Sequence, residues 1–458
     1  MTQAPTIEVI EPPEIFDLGC ETLIIGAGTC GLISALSAHE AGQRVLAIEA
    51  DPVPSGSTAL SAGLIPAAGT SFQTEVGIED SAQIFAADIQ RKAKGKNEQQ
   101  IVDFMAQQSA EVIDWLAMRH GFKFSVVTDF DYPGHTNRRM HGLPTRSGRE
   151  LIDALRAACE RVEIDIICNR RAFALHQKGG TICGASLRGP EGTTETVACR
   201  KLILACNGFG GNRALVEQLT PDIKDAIWFG HGGNQGEAIL WGTALNADLR
   251  HLGAYQGHGN VAHPHGILIT WATITEGGIQ VNRDGLRFWD ETQGYSEAAR
   301  TVLAQPGGVA YTIFDARIAT VARQFEDFKN AEANGAVLMA DTVEELSDLL
   351  HIPAVPLRET VEHLPLGQTD AFGRCFGTKP LCSPFMGVKV TGALFHTQGG
   401  LRTDMQARVL DRSGTPIPGL FAGGGAACGV SGSGDAGYLS GNGLLSAAVL
   451  GRLAGRAS

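Results

Sequence analysis

Several absences narrow the field. The ten cysteines form no Cys-x-x-Cys pair, no haem-attachment motif and no ferredoxin-like run. That argues against a structural zinc, a c-type haem or an iron–sulfur cluster in this chain. Thiols scattered in this way fit a reducing cytosol better than a disulfide framework, so a cytoplasmic location is expected. Basic charge is not in surplus: the net charge is -12, which leaves no electrostatic footprint for nucleic acid or an anionic membrane. No apolar run reaches the roughly 18 residues of a membrane-spanning helix. Residues 1–17 are acidic and contain proline, without a basic segment followed by an apolar one, so no secretory signal is expected. No fixed-period repeat or low-complexity linker is visible.

What is present is glycine, 58 of 458 residues, spread without a collagen-like period. This points to many tight turns and to backbone that approaches a ligand closely. Hydrophobic content of 43% and a chain of this length allow two or three domains with full cores. Glu21-Thr-Leu-Ile-Ile-Gly26 reads as a buried parallel strand, residues 31–42 as a helix, and Arg44-Val-Leu-Ala-Ile-Glu49 as a second strand ending on an acid. Cys199-Arg-Lys-Leu-Ile-Leu-Ala205 and Gly419-Leu-Phe-Ala-Gly-Gly-Gly425 are further strand–turn pieces, and residues 441–454 read as a last helix. Between them the pattern changes, with strands such as 278–282 and helices such as 342–350. The expected fold is α/β: a Rossmann-like nucleotide-binding domain from residues 1–252 and 398–458, with an inserted α+β capping domain at 253–397.

Gly26-Ala27-Gly28-Thr29-Cys30-Gly31 is the central motif. Its first glycine permits the tight turn, its second lets the backbone approach a pyrophosphate, and its third lets helix and strand pack. The helix N-terminus supplies N–H donors and partial positive charge to phosphates. Glu49, at the tip of the second strand, can accept from ribose hydroxyls. Strand, glycines, helix and acid agree, so a nucleotide site is expected. FAD is favoured over NAD by Ser55-Gly-Ser57-Thr58-Ala-Leu-Ser61-Ala62-Gly63, a small-residue stretch able to pass close to a ribityl chain and flavin. The hydroxyls of Ser57, Thr58 and Ser61 can bond phosphates or ring. The 423–425 glycine turn and the N-terminus of the last helix, at Gly441, add donors.

Together with Leu204-Ala-Cys-Asn-Gly-Phe-Gly-Gly-Asn212, Gly278-Ile-Gln-Val-Asn-Arg-Asp-Gly-Leu-Arg-Phe288 and His396-Thr-Gln-Gly-Gly400, these motifs resemble the fumarate reductase and succinate dehydrogenase flavoprotein family, in its soluble branch. The resemblance covers nearly the whole chain. It implies two-electron chemistry on a carbon–carbon bond beside an electron-withdrawing group. It also implies noncovalent FAD, since members with covalent flavin use a histidine near Ser57 and none stands there. It extends the cofactor contacts to Ala50, Ala172, Ala205, Asn207, Gly208, Gly424, Gly425, Asn442, Leu444 and Leu445, and it places His396 at substrate or flavin.

The chain departs from this family where a dicarboxylate would be held. Fumarate reductases place a proton-donating Arg shortly after the segment matched here by Arg287-Phe-Trp-Asp-Glu291; the matching position is Tyr295. They place a carboxylate-clamping Arg in the glycine-rich stretch before the last helix; residues 429–443 contain none. A dicarboxylate needs fixed cationic partners, so fumarate and succinate are poor fits. Gly437-Tyr438-Leu439-Ser440-Gly441 instead resembles the Gly-Tyr-x-Ser-Gly segment of 3-ketosteroid 4-dehydrogenases, which also carry Tyr at the Tyr295 position.

A ketone acidifies its α-hydrogen, and the adjacent β-carbon can then pass a hydride to flavin N5, leaving an α,β-unsaturated ketone. The expectation is that Ser440 with Tyr295 removes the proton and that Tyr438 with the Gly441 N–H holds the carbonyl oxygen. The expected substrate is a cyclic ketone, either a steroid or a smaller ring of the oxocyclohexane carboxylate type, with an unidentified electron acceptor. Two alternatives stay open: an ene-reductase of the family acting on an unsaturated acid, and a flavin-bearing subunit that relays electrons to a partner. His258, His263 and His265 invite a metal reading, but a Gly/Pro-rich loop at the cap junction fits better, so no metal is expected. His135 and the Arg138–His141 stretch form a polar loop without an assigned role.

Overall fold

The computed structural model describes residues 7–457; Met1–Thr6 of the acidic, proline-containing stretch 1–17 lie outside the described residues. The chain forms two compact units. One takes in the residues up to Leu219, Gly230–Tyr255 and the stretch from His396 onward; the other takes in Thr220–Phe229 and Gln256–Phe395.

The first unit is built on a six-stranded sheet ordered Arg408–Leu410, Pro416–Ala422, Lys201–Leu204, Thr22–Ile25, Val45–Ile48 and Asp165–Ile167. Its pairings are parallel except for the Arg408–Leu410 edge. Short Leu/Ile/Val runs suit central parallel strands buried on both faces, and Thr22–Ile25 and Lys201–Leu204 are buried throughout. The strand at Thr22–Ile25 feeds the helix Thr29–Glu40, starting two residues earlier than the sequence pattern predicts. The closing helix, Asn442–Arg456, packs directly on it: Ser34 Oγ donates to the Gly451 carbonyl at 2.9 Å, and a side chain at Gly455 would stand 2.4 Å from the Ser34 carbonyl. Small residues on the last helix therefore let the two ends of the chain meet. A five-stranded sheet (Glu8–Ile10, Arg171–Lys178, Thr181–Arg188, Thr194–Ala198, Leu18–Gly19) and a three-stranded one (Ile65–Pro66, Met140–Gly142, Ser125–Val126) complete this unit.

The second unit has its own seven-stranded sheet, with Phe385–Thr397 as the long strand against which Val309–Asp315 and Leu338–Ala340 run antiparallel. The expected strand at 278–282 is Ile279–Val281, and the expected helix at 342–350 is Val343–Leu350, opened by a Thr342–Glu345 capping box. One expectation fails here. Residues 257–262 do not form a Gly/Pro-rich loop; they continue a buried strand, Tyr255–Ala262, and only His263–His265 turn into the next strand at Ile267–Leu268. Glycine lowers strand propensity, but burial in a paired sheet overrides it.

Candidate functional site for a flavin and a substrate carbonyl

Gly26 leaves its strand at φ 102°, and a Cβ there would lie 2.5 Å from the Ala205 carbonyl oxygen. A Cβ at Gly31 would lie 1.9 Å from the Gly26 carbonyl oxygen. Both positions thus exclude any side chain. Gly28, the helix N-cap, is different: only the Thr58 hydroxyl, at 3.6 Å, comes within 4 Å of a side-chain position. The turn is closed at its base and open at its tip, as a backbone cradle for phosphates requires.

Glu49 is held at the far side of this cradle. Its Oε2 accepts from the Ala27 N–H at 2.8 Å and its Oε1 from the Asp51 N–H at 3.0 Å. One lone pair on each oxygen is used, and a second on each remains to accept a ribose hydroxyl. Ala50, exposed, and Ala172, buried in Arg171–Lys178, lie on the chains around this tip. The Arg170 N–H bonds the Glu49 carbonyl at 2.9 Å, which brings that strand's start to the tip.

The three hydroxyls of the 55–63 stretch divide. Thr58 accepts from the Thr29 N–H at 3.1 Å and exchanges a bond with the Thr29 hydroxyl, tying the stretch to the first helix. Ser61 donates to the Thr58 carbonyl at 2.7 Å and accepts from Gly63, so its proton and one lone pair are used within the turn. Ala62 is exposed beside it, and Gly63 backs onto the Ser147 carbonyl at 2.6 Å. Ser57 accepts from Asn207 Nδ2 at 2.9 Å and from Asn234 Nδ2 at 3.0 Å. Both lone pairs are filled, so its own proton is the group left to donate. Asn234 is a contributor that the sequence motifs did not single out.

Ala205 continues the central strand by bonding Ile25 at 2.9 Å. Asn207, at φ 66°, turns back so that its Oδ1 takes the Gly208 N–H at 2.9 Å. The turn at Gly424–Ala426 lies close by: a Cβ at Gly425 would stand 2.1 Å from Asn207 Oδ1 and 3.0 Å from His396 Nε2. Cys30 packs under this turn, where a Cβ at Gly423 would stand 2.6 Å from its sulfur. Burial pushes its thiol up to about 12, so it can act there only through its backbone.

Next to the turn runs a directed chain of buried amides. Asn442 Nδ2 donates to Ser431 Oγ at 3.1 Å, Ser431 donates to Gln398 Oε1 at 2.9 Å, and Gln398 Nε2 donates to His396 Nδ1 at 2.7 Å. An amide NH₂ cannot accept, so His396 carries its proton on Nε2. Burial pushes its pKa down to about 4 and keeps it neutral. Gln398 and Ser431 stand inside motifs that the sequence marks, yet nothing in the sequence joins them. Asn442 Oδ1 is buried without a protein partner. An orphaned acceptor at a helix N-terminus, beside the Gly424–Ala426 turn, suits a planar group carrying N–H donors and phosphates. The donor set therefore fits FAD. Leu445 is buried on the same helix turn and Leu444 half-buried.

Tyr438 and Ser440 are both buried just before this helix. Burial pushes the Tyr438 phenol up to about 12, against the opposing pull of the Gly441 and Gly443 N–H groups on its oxygen. This alters one expectation: the Gly441 N–H is directed at Tyr438. Gly441 takes φ 86°, and a Cβ there would meet Pro66 at 2.6 Å and Met140 at 3.3 Å. An apolar cluster of Leu64, Val127 and Met140, with Phe130 and Tyr132 against it, adjoins.

In the second unit, Tyr295 begins the helix Tyr295–Leu303. Its ring stacks on His258 at 5.0 Å and 16°, and His258 stacks in turn on Phe395 at 5.4 Å. Burial pushes His258 down to about 3. Sequence reasoning placed His258 in a loop and so missed this contact. Among the described residues no group of three or more His, Cys, Asp and Glu side chains could hold a metal, and no helix is long and apolar enough to cross a membrane.

Comparison with known proteins agrees with this donor set. A family model described as an FAD binding domain matches residues 21–444. A probable fumarate reductase of Shewanella frigidimarina (strain NCIMB 400) is 30% identical over 443 residues, 95% of this chain and 74% of the relative. A urocanate reductase of Eggerthella lenta is 26% identical, over 91% of this chain and 71% of that protein. Among solved structures, the open conformation of a flavocytochrome c3 fumarate reductase gives a TM-score of 0.83 at 29% identity, covering 96% of this chain and 78% of that one. The 3-ketosteroid-Δ4-(5α)-dehydrogenase of Rhodococcus jostii RHA1, in complex with 4-androstene-3,17-dione, gives 0.78 at 24% identity, covering 98% and 99%, and shares the fold. The chain belongs to the FAD binding domain family, with the flavoproteins of succinate dehydrogenase and fumarate reductase, and is an FAD-dependent oxidoreductase.

Proposed function

We propose that this chain desaturates a cyclic ketone, introducing an α,β carbon–carbon double bond. The observation that carries the reading is the turn before the last helix. It presents a buried phenol and a buried hydroxyl, Tyr438 and Ser440, in a stretch without arginine. With its pKa near 12, Tyr438 stays protonated at any working pH. A neutral phenol is a hydrogen-bond donor, the kind of group that stabilises a developing oxyanion and not one that takes a proton. Tyr438 is assigned to the carbonyl oxygen, and Ser440 with Tyr295 to relaying the departing α-proton through their hydroxyls to solvent, neither of them keeping it. Gly441 supports Tyr438 through its N–H. Neutral His396, with its proton on Nε2, is assigned as a second donor to substrate. Bound FAD supplies the hydride acceptor and is held by the Gly26–Gly31 turn, Glu49, Ser57, the Gly424–Gly425 turn and Asn442.

Two further features support a ketone over a dicarboxylate. The buried arginines of the second unit are committed elsewhere: Arg287 pairs with Glu291 and Asp370, and Arg374 with Glu291. The Rhodococcus jostii relative of the same fold is complexed with a steroid ketone. In this reading a separate electron acceptor reoxidises the flavin. The test is Tyr438→Phe and Tyr295→Phe, assayed for cyclic-ketone oxidation with an artificial acceptor. Strong loss with FAD retained is expected; near-wild-type rates with FAD retained would overturn the assignment.

A second reading has its own support. The curated relatives at 30% and 26% identity are named as reductases of fumarate and urocanate. It makes the chain an ene-reductase for an unsaturated acid other than a dicarboxylate. Reduced holoenzyme reoxidised by such an acid, and not reduced by any saturated ketone, would favour it.

A further inference from the structure

The 429–441 stretch carries the proposed carbonyl-handling groups but has neither helix nor strand to stiffen it. Its glycines 429, 432, 434, 437 and 441 add to the entropy that must be opposed by contacts from elsewhere. One such contact comes from the far side of the sequence. His135 Nε2 lies 3.0 Å from the Ser440 carbonyl oxygen, and a Cβ at the neighbouring Gly134 would stand 2.8 Å from Leu439.

The tautomer of His135 follows from its other neighbour. Arg139 Nη1 approaches His135 Nδ1 at 3.4 Å. A guanidinium has donors only, so Nδ1 must accept, and the ring proton sits on Nε2, facing the Ser440 carbonyl. Burial, with the Arg139 charge as a lesser cause, pushes His135 down to about 4, which keeps this arrangement through the neutral range.

Arg139 is itself immobilised. It is fully buried and forks onto Asp80, with Nε to Oδ2 at 2.9 Å and Nη2 to Oδ1 at 3.0 Å. Its Nη1 reaches Asp88 Oδ2 at 2.5 Å, and its guanidinium lies over the Phe85 ring at 4.7 Å. Asp88 also accepts from Arg91 and from the N–H and hydroxyl of Thr136, one residue after His135. Two carboxylates and two guanidiniums balance, and their bonds fix both ends of the 135–139 loop. A network of this kind costs desolvation and is weak evidence for stability alone. Its geometric effect is to hold one imidazole in one place with one proton position.

We propose that His135 is a positioning residue: Arg139 holds its proton on Nε2, and its bond to the Ser440 carbonyl sets the orientation of Tyr438 and Ser440 ahead of the last helix. The inference rests on the reading that these two side chains handle a substrate carbonyl. A misplaced turn leaves the FAD cradle intact but moves the donor away from the carbonyl. An error of about 1 Å can cost about 10²-fold in rate.

The test compares FAD-loaded His135→Leu and His135→Gln with wild type. Leucine removes the bond; the glutamine amide can still donate to the Ser440 carbonyl. With only five tyrosines in the chain, fluorotyrosine labelling gives a simple ¹⁹F spectrum in which Tyr438→Phe identifies the Tyr438 line. His135→Leu is expected to displace that line and leave the Tyr311 line in place. It should also lower ketone kcat by about 10²-fold with little change in KM. His135→Gln is expected to restore both. If His135→Leu does not fold, His135→Asn, too short to reach Ser440, takes its place. An unmoved Tyr438 line and unchanged kcat in the leucine or asparagine variant would overturn the proposal. So would a glutamine variant no better than either. If Tyr438→Phe itself oxidises ketones at the wild-type rate, the functional reading falls, while the ¹⁹F line still decides whether His135 positions the turn.

Discussion

Two glycine-rich turns, each opening a helix of the first unit, are built in opposite ways. The Gly26–Gly31 turn is specified mostly within its own βαβ unit. Gly31 is demanded by the Gly26 carbonyl and Glu49 is pinned by amides of the turn and of its own loop, while the Ala205 strand end, which demands Gly26, comes from further along the chain. The 429–441 turn is specified from a distance. Ser440 is held by His135, Ser431 by Gln398 and Asn442, and Asn97 Nδ2 reaches the Val430 carbonyl at 2.7 Å. The first turn recognises a group common to many enzymes, so a local and stereotyped solution is enough. In the proposed function the second turn handles the substrate, and its side chains are held by residues from other parts of the chain.

That contrast can be broken. The largest effect is expected for Arg139→Met. Removing the shared cation leaves Asp80 and Asp88 buried with less compensation, and about 3–5 kcal/mol of unfolding free energy should be lost. A urea midpoint equal to wild type would show that the network does not brace the second turn. Next comes Tyr438→Phe. Loss of one oxyanion donor should slow ketone-driven flavin reduction by about 10²–10³-fold with the flavin-to-protein ratio unchanged; a drop in that ratio would mean that Tyr438 belongs to the cofactor cradle. Gly31→Ala tests the first turn. Overpacking against Gly26 should cost about 1–3 kcal/mol and lower the flavin content, and full FAD occupancy would contradict the close-packing account.

The last effect is one of pH. His135, His141 and His396 have folded pKa values of about 4, below their ordinary 6.5, chiefly through burial. Between these values the unfolded chain binds more protons than the folded one. The stability is therefore complete above pH 6.5 and falls as the pH drops toward 4. All three histidines lie on or beside the second turn or its supporting loop, and none lies in the first turn. Hydrogen exchange between pH 6.5 and 5 should rise first in residues 135–141 and 429–441, before residues 22–40. Uniform loosening would remove the distinction.

The same contrast explains what could be read from the sequence. The first turn was legible because strand, glycines, helix and acid follow one another within a single βαβ unit, and each obeys a local rule. The last helix and the Gly424–Gly425 turn were legible for the same reason. The bonds of Ser61 within its own turn were not legible, because a hydroxyl in a turn can serve its own backbone as well as a ligand. His258 was misjudged because glycines on either side suggested a loop, whereas pairing within the second unit makes a strand of it. His135, Gln398 and Asn234 carry no local signature. Their partners lie far away in the chain, so nothing short of the folded structure joins them. Tyr295 and the absence of arginine from residues 429–443 are visible in the sequence alone.

The most direct test of the ketone reading is anaerobic mixing of the FAD-loaded protein with a panel of steroid and monocyclic saturated ketones, followed by flavin absorbance. The account predicts that at least one ketone bleaches the oxidised flavin and returns as its α,β-unsaturated product, and that Tyr438→Phe slows that bleaching. A flavin left oxidised by every ketone, yet rapidly reoxidised from its reduced form by an unsaturated acid, would contradict it.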